Sequence, residues 1–144
     1  MSIPLVIMGA NGRMGSTLVR LAMESEQFSV KGVVERAEFC KGLDQLGCPV
    51  AHDLAELLPL CPGATVIDFT APEVSLASAR KAAQTGNSIV IGTTGLSAAQ
   101  LSELETLAAA IPVFWSPNMS IGVNALVRVL PILERILGEA YDME

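Results

Sequence analysis

Gly9, Gly12 and Gly15 recur at three-residue spacing directly after the apolar run Ile3 to Met8, and Glu35-Arg36 closes the next apolar run. Strand, glycine turn, helix, strand and acid, in that order, build a dinucleotide pocket. Glycine permits a tight turn and lets the backbone approach a pyrophosphate, and the helix that follows aims free N–H groups and its positive dipole end at the anionic oxygens. Glu35 stands 20 residues beyond Gly15, where a carboxylate can accept hydrogen bonds from the adenosine ribose hydroxyls. Gly9, Ala10, Asn11, Gly12, Arg13 and Met14 are the candidate phosphate-binding turn, with Glu35 and Arg36 at the ribose. The spacing is Gly-x-x-Gly-x-x-Gly, so the glycines alone are also compatible with a simple turn.

Further candidates lie where ligands bind in open parallel sheets, beyond the carboxyl ends of the strands. In Gly92-Thr93-Thr94, glycine admits a flat ring against the main chain and the threonines offer hydroxyls; a threonine-rich turn capping the next helix is the alternative. Ser116, Pro117, Asn118 and Met119 follow the last apolar strand, and Asn118 carries both a donor and an acceptor. Asp68-Phe69-Thr70 reads as a strand end with a helix cap. Arg36 bears on cofactor choice, because a carboxylate repels a 2′-phosphate and a neighbouring guanidinium attracts one. Binding of both NADH and NADPH is expected.

Catalytic groups are missing from these loops. Lys31, Lys41 and Lys81 lie elsewhere, and so does the only histidine, His52. A reductase acting on a carboxylated substrate needs cations to hold it and a positioned proton donor. The loops offer a cofactor site and no evident catalytic residue. A single histidine beside Asp53 is no metal cluster, and Cys40, Cys48 and Cys61 have no Cys-x-x-Cys spacing. Reduced thiols and no metal are expected.

These residues need a scaffold, and apolar strands alternate with helices along the whole chain. Strands are predicted over residues 3–8, 28–34, 64–69, 88–91 and 111–115. Helices are predicted over 11–24, with Met14, Leu18, Leu21 and Ala22 on one face, over 53–58, from 70 to a stop at Gly86, over 97–110 and from about 120 to 137. Residues 36–52 read as an irregular connection. Such alternation implies an α/β fold of Rossmann type, a doubly wound parallel sheet with helices on both faces.

With 144 residues there is room for one sizeable core. The net charge of −6, with nine Lys and Arg, excludes a basic stripe for nucleic acid or a polybasic membrane contact. Mean hydropathy is +0.49, and residues 106–127 carry no charge. Pro112, Pro117, Asn118, Gly122 and Asn124 break that stretch, so it is not read as a membrane span. No signal peptide is evident, and a cytoplasmic protein is expected. The last helix is apolar on most sides, with Pro131 expected to bend it, and Tyr141 to Glu144 reads as an orphan strand. The chain is expected to divide into a nucleotide-binding domain, 1–120, and a segment, 121–144, that looks cut short.

Together the motifs resemble the N-terminal domain of the 4-hydroxy-tetrahydrodipicolinate (dihydrodipicolinate) reductases. The resemblance rests on Gly9 to Gly15, Glu35-Arg36, Asp68-Phe-Thr, Gly92-Thr-Thr-Gly and Asn118-Met-Ser-Ile-Gly-Val-Asn124, in that order. It implies hydride transfer from NADH or NADPH to a small cyclic imine-type dicarboxylate, with loss of water, in lysine and diaminopimelate synthesis. It also implies a homotetramer formed through a C-terminal sheet domain, and makes residues 121–144 the first part of a truncated C-terminal substrate domain. The family's His-His-x-x-Lys and Ser-Gly-Thr segments would begin beyond Glu144, so this chain by itself is expected to bind cofactor and turn over little. A non-catalytic nucleotide sensor and another amino-acid-pathway dehydrogenase remain the rival readings.

Overall fold

β1 (Ile3–Met8) pairs with β2 (Phe28–Val34) on one side and β4 (Thr65–Asp68) on the other, so strand order reverses at this central strand. The computed structural model describes residues 2–138. With β3 (Val50–Ala51), β5 (Ile89–Ile91) and β6 (Val113–Trp115), the sheet has six parallel strands in the order β3-β2-β1-β4-β5-β6. The connections carry α1 (Arg13–Glu24), α2 (Leu54–Leu57), α3 (Pro72–Thr85) and α4 (Ala98–Leu107), and α5 (Ile121–Leu137) follows β6.

Alternation along β1 shows why both faces are covered. Leu5 and Ile7 belong to a core with Ala10, Val19, Ala22 and Val33. Val6 and Met8 belong to the other core, with Val66, Leu76, Ile89, Ile91 and Leu104. Successive strand residues point to opposite faces, so a continuous apolar run marks a strand buried on both. Local signals set the helix ends. Ser97 and Gln100 form a reciprocal capping box at α4, and α3 starts with Pro72 and stops at Gly86 in the left-handed region. Asp53 caps α2 by accepting from the Ala55 N–H at 2.7 Å.

Three local expectations change. Gly15, Val19 and Ala22 form the buried face of α1, while Met14 and Leu21 are about half exposed. The reason is contact: the helix sits on the turn through Gly15, which rotates its apolar stripe. The 36–52 connection contains two 3-10 turns (Ala37–Phe39 and Leu43–Leu46) and then the two-residue β3. The residues predicted as a helix over 53–58 form α2 followed by a 3-10 turn, Leu58–Leu60, which continues to Leu60. α5 begins and ends near the expected positions, yet none of its residues is buried, with Ile121, Leu126, Val127 and Ile136 the most open large side chains. The expected strand at Tyr141 to Glu144 lies outside the described residues.

Candidate functional site

At the carboxyl end of β1 the chain turns sharply. Gly9 takes φ +63°, and its carbonyl accepts from the Gly12 N–H at 2.9 Å. A side chain on Gly15 would overlap that same carbonyl oxygen, and one on Gly12 would sit 3.0 Å from it. The three-residue spacing therefore packs a helix start directly against a left-handed turn. Gly12 is the N-cap of α1 and supplies no side-chain cap. The first N–H groups of the helix thus lack an intrahelical or side-chain partner.

Those groups border a cavity of about 820 Å³ at the point where strand order reverses. Gly9, Asn11, Gly12, Arg13, Met14 and Gly15 form one wall, and Glu35, Arg36, Phe39 and His52 the next. Phe69, Thr70, Ala71 and Val74, from the end of β4 and the start of α3, close the opposite side.

Glu35 is buried, and both its oxygens accept main-chain hydrogen bonds. Oε2 takes the Asn11 N–H at 2.9 Å and Oε1 the Arg36 N–H at 2.9 Å. Each oxygen keeps lone-pair capacity for a ligand hydroxyl. The Asn11 side chain faces away from that task, donating to the Phe39 carbonyl at 2.6 Å and the Lys41 carbonyl at 3.0 Å. Arg36 lies open at the rim, its guanidinium 4.5 Å from the Phe39 ring centre and 3.6 Å from the Glu38 carboxylate.

His52, expected away from the site, lines the cavity because the short β3 brings it beside β2. Its Nδ1 is 3.0 Å from the Glu35 carbonyl; a carbonyl only accepts, so Nδ1 is the donor in this contact. The next residue, Asp53, is held below the usual carboxylate range, first by the hydrogen bond from Lys81 and then by the Ala55 N–H. The three cysteines are unpaired, and burial pushes the thiols of Cys48 and Cys61 up. Among the described residues, no group of His, Cys, Asp and Glu could hold a metal ion, and no helix is long and apolar enough to cross a membrane.

Other sequence-derived candidates stand outside the cavity wall. Ala10 is buried in the core beneath the turn. Gly92 packs on the Phe69 ring, which a side chain at 92 would overlap, so the flat ring it touches is the protein's own. Thr93 is buried and Thr94 exposed. Beyond β6, the Ser116 hydroxyl donates to the Asn118 carbonyl at 2.9 Å, and Asn118 Oδ1 accepts the Ser120 N–H at 2.9 Å. Pro117 and Met119 are exposed there.

Phe69, Thr70, Ala71, Val74 and His52 are among the wall residues the sequence did not reveal. Asp-Phe-Thr is legible as a strand end, but only the pairing of β4 with β1 sets it opposite the glycine turn.

A six-stranded parallel sheet in this order, with a glycine turn leading into a helix N-terminus at its switch point, defines a Rossmann-type α/β domain. The family described as "Dihydrodipicolinate reductase, N-terminus" matches residues 3–119. The chain belongs to that family. It is 51% identical, over all of its 144 residues, to the 4-hydroxy-tetrahydrodipicolinate reductase of Nitratidesulfovibrio vulgaris (strain DP4), spanning 56% of that protein. To the enzyme of the same name from Lawsonia intracellularis it is 40% identical, spanning 55%. The chain therefore covers little more than half the length of these relatives. Among solved structures, a dipicolinate-bound dihydrodipicolinate reductase from Paenisporosarcina sp. TG-14 superposes with a TM-score of 0.79 at 24% identity, over 93% of this chain and 54% of that one. Myo-inositol 2-dehydrogenase from Lactobacillus plantarum shares the fold at a TM-score of 0.70 and 10% identity, over 92% of this chain and 42% of that one.

Proposed function

We propose that this chain is the nucleotide-binding part of an NAD(P)H-dependent reductase that converts 4-hydroxy-tetrahydrodipicolinate to tetrahydrodipicolinate in lysine and diaminopimelate biosynthesis. The observation that carries the reading is the Glu35 bracket beside the uncapped start of α1, inside the family match over residues 3–119. It sets an anion-binding helix end next to a carboxylate of the kind that reads ribose hydroxyls.

The residues fit a pyridine dinucleotide. Glycines at 12 and 15 leave the backbone bare where a side chain would crowd the turn, and the Arg13, Met14 and Gly15 N–H groups are assigned to pyrophosphate oxygens. Glu35 accepts from the ribose, while Arg36 at the rim attracts a 2′-phosphate, so both NADH and NADPH are accommodated. Gly92, Thr93 and Thr94, with Ser116, Pro117, Asn118 and Met119, lie along the carboxyl edge of β5 and β6 and are assigned to the nicotinamide end. When bound, the reduced nucleotide supplies a hydride. The dicarboxylate substrate and its proton donor are assigned to the part of the relatives that this chain does not span.

Calorimetric titration with NADH and with NADPH tests the reading, followed by a reductase assay on the chain supplemented with the remainder of a relative. Saturable binding with activity only in the supplemented sample supports it; binding with no activity in either favours a nucleotide sensor. That second reading draws on one observation, the absence of lysine from the cavity wall.

A further inference from the structure

Asp68 is fully buried at the end of β4, with no cation beside it in the hydrogen-bond network, and the site as described so far gives it no task. Three donors converge on its Oδ1: the Thr70 N–H at 2.9 Å, the Thr70 hydroxyl at 2.6 Å and the Ser75 hydroxyl at 2.9 Å. Its Oδ2 is buried without a partner. Leaving such an atom unsatisfied is costly, so a carboxylate kept here in that state points to a task for the network.

The network leads to the loop after β5. Ser75, fully buried on α3, stands 2.6 Å from the Thr93 hydroxyl. A serine has one hydroxyl proton, and Ser75 gives it to Asp68. Thr93 must therefore donate to Ser75. The Thr93 carbonyl is held from the other side by the Trp115 indole N–H at 3.1 Å, and the Gly92 N–H donates to the Asp68 carbonyl at 2.9 Å. Strands β4 and β6 and helix α3 thus fix one residue, whose hydroxyl proton is directed inward. Thr94, next in the chain, is exposed.

We propose that Asp68 and Ser75 are positioning residues for the nicotinamide end of the cofactor, acting through Thr93. This rests on the reading of the site as a pyridine-nucleotide pocket. Thr93 is the anchor, and Thr94 with the main chain of the loop is what meets the carboxamide. The sequence reading that both threonines offer hydroxyls to a ligand therefore narrows to Thr94. The network restrains the loop before the ligand arrives, so less ordering is required on binding.

The test compares NADH with ADP-ribose, which has the same adenosine diphosphate and no nicotinamide. The quantity read is the Kd for ADP-ribose divided by the Kd for NADH, measured calorimetrically on the 144-residue chain. S75A and Thr93→Val remove the link and should lower that ratio up to about tenfold, the worth of one buried hydrogen bond. Asp68→Asn keeps an acceptor oxygen and Thr93→Ser keeps the hydroxyl; both should hold the ratio within about twofold of the original chain. Thr93→Val exchanges a hydroxyl for a methyl group in place, and carries the test if S75A does not fold. An unchanged ratio in S75A and Thr93→Val overturns the inference, as does a parallel loss for both ligands, which would mean a purely structural role. Equal binding of the two ligands by the original chain overturns it while leaving the pocket intact. Failure of the original chain to bind either ligand overturns the nucleotide reading itself.

Discussion

Glu35 Oε2 accepts the main-chain N–H of Asn11 at 2.9 Å, tying the end of β2 to the turn after β1. One carboxylate thereby shapes the turn proposed to bind phosphate and stands at the proposed ribose site. A hydrogen bond to a charged, buried acceptor contributes about 1.5–3 kcal/mol. Glu35→Ala should lower the unfolding free energy by about 2 kcal/mol and weaken NADH binding at least tenfold. Urea denaturation and calorimetry read the two effects, and an unaltered NADH affinity would remove Glu35 from the ribose site.

Gly92 and Phe69 make a second closely packed pair. A side chain at 92 overlaps the Phe69 ring, so Gly92→Ala should destabilise by about 1–3 kcal/mol through overpacking. Phe69→Leu in the same chain should recover much of the loss, giving a coupling of about 1 kcal/mol or more in a double-mutant cycle. Additive effects would show that the ring moves aside freely.

Asp53 supplies a pH dependence. Its carboxyl is held below the ordinary value by Lys81 and the Ala55 N–H, so the unfolded chain takes up its proton at higher pH than the folded one. The stabilisation is present at neutral pH and is lost as pH falls through the depressed folded value, below the usual carboxylate range of about 4. The Asp53 side chain is 49% exposed and the ion pair is screened, which limits cap and pair together to about 1 kcal/mol. Asp53→Ala should lose that amount at pH 7 and converge with the original chain in acid. A gap that widens in acid contradicts the assignment.

Much of this was legible in the residues. Gly15 announces the turn because only glycine fits against the Gly9 carbonyl, and the β1 run announces a strand buried on both faces. Gly86, Ser97 and Asp53 mark helix ends through local chemistry, which sequence carries well. His52, Phe69 and Thr70 were not legible as cavity wall, because each reaches the site through pairing between strands distant in sequence. The contact of Gly92 with Phe69 was not legible, because it joins the ends of two separate strands. The inward turn of the Thr93 hydroxyl depends on Ser75, 18 residues earlier.

Along α5 the side chains have little to lose. Leu126 and Leu130 are 60% and 43% exposed, so changing both to Gln should leave the thermal midpoint of the chain nearly unaltered, within about 0.5 kcal/mol per site. Light scattering reads association in the same samples. A loss above about 2 kcal/mol would mean the face is covered in solution.

The central claim is that the turn from Gly9 to Met14, with Glu35 and Arg36, binds a pyridine dinucleotide. Isothermal titration of the 144-residue chain with NADH and NADPH, each repeated with Gly12→Val, tests it most directly. Saturable one-site binding of both nucleotides is expected, with its loss in the variant while circular dichroism shows the fold retained. Binding of neither nucleotide by the original chain, or equal binding by the variant, would contradict it.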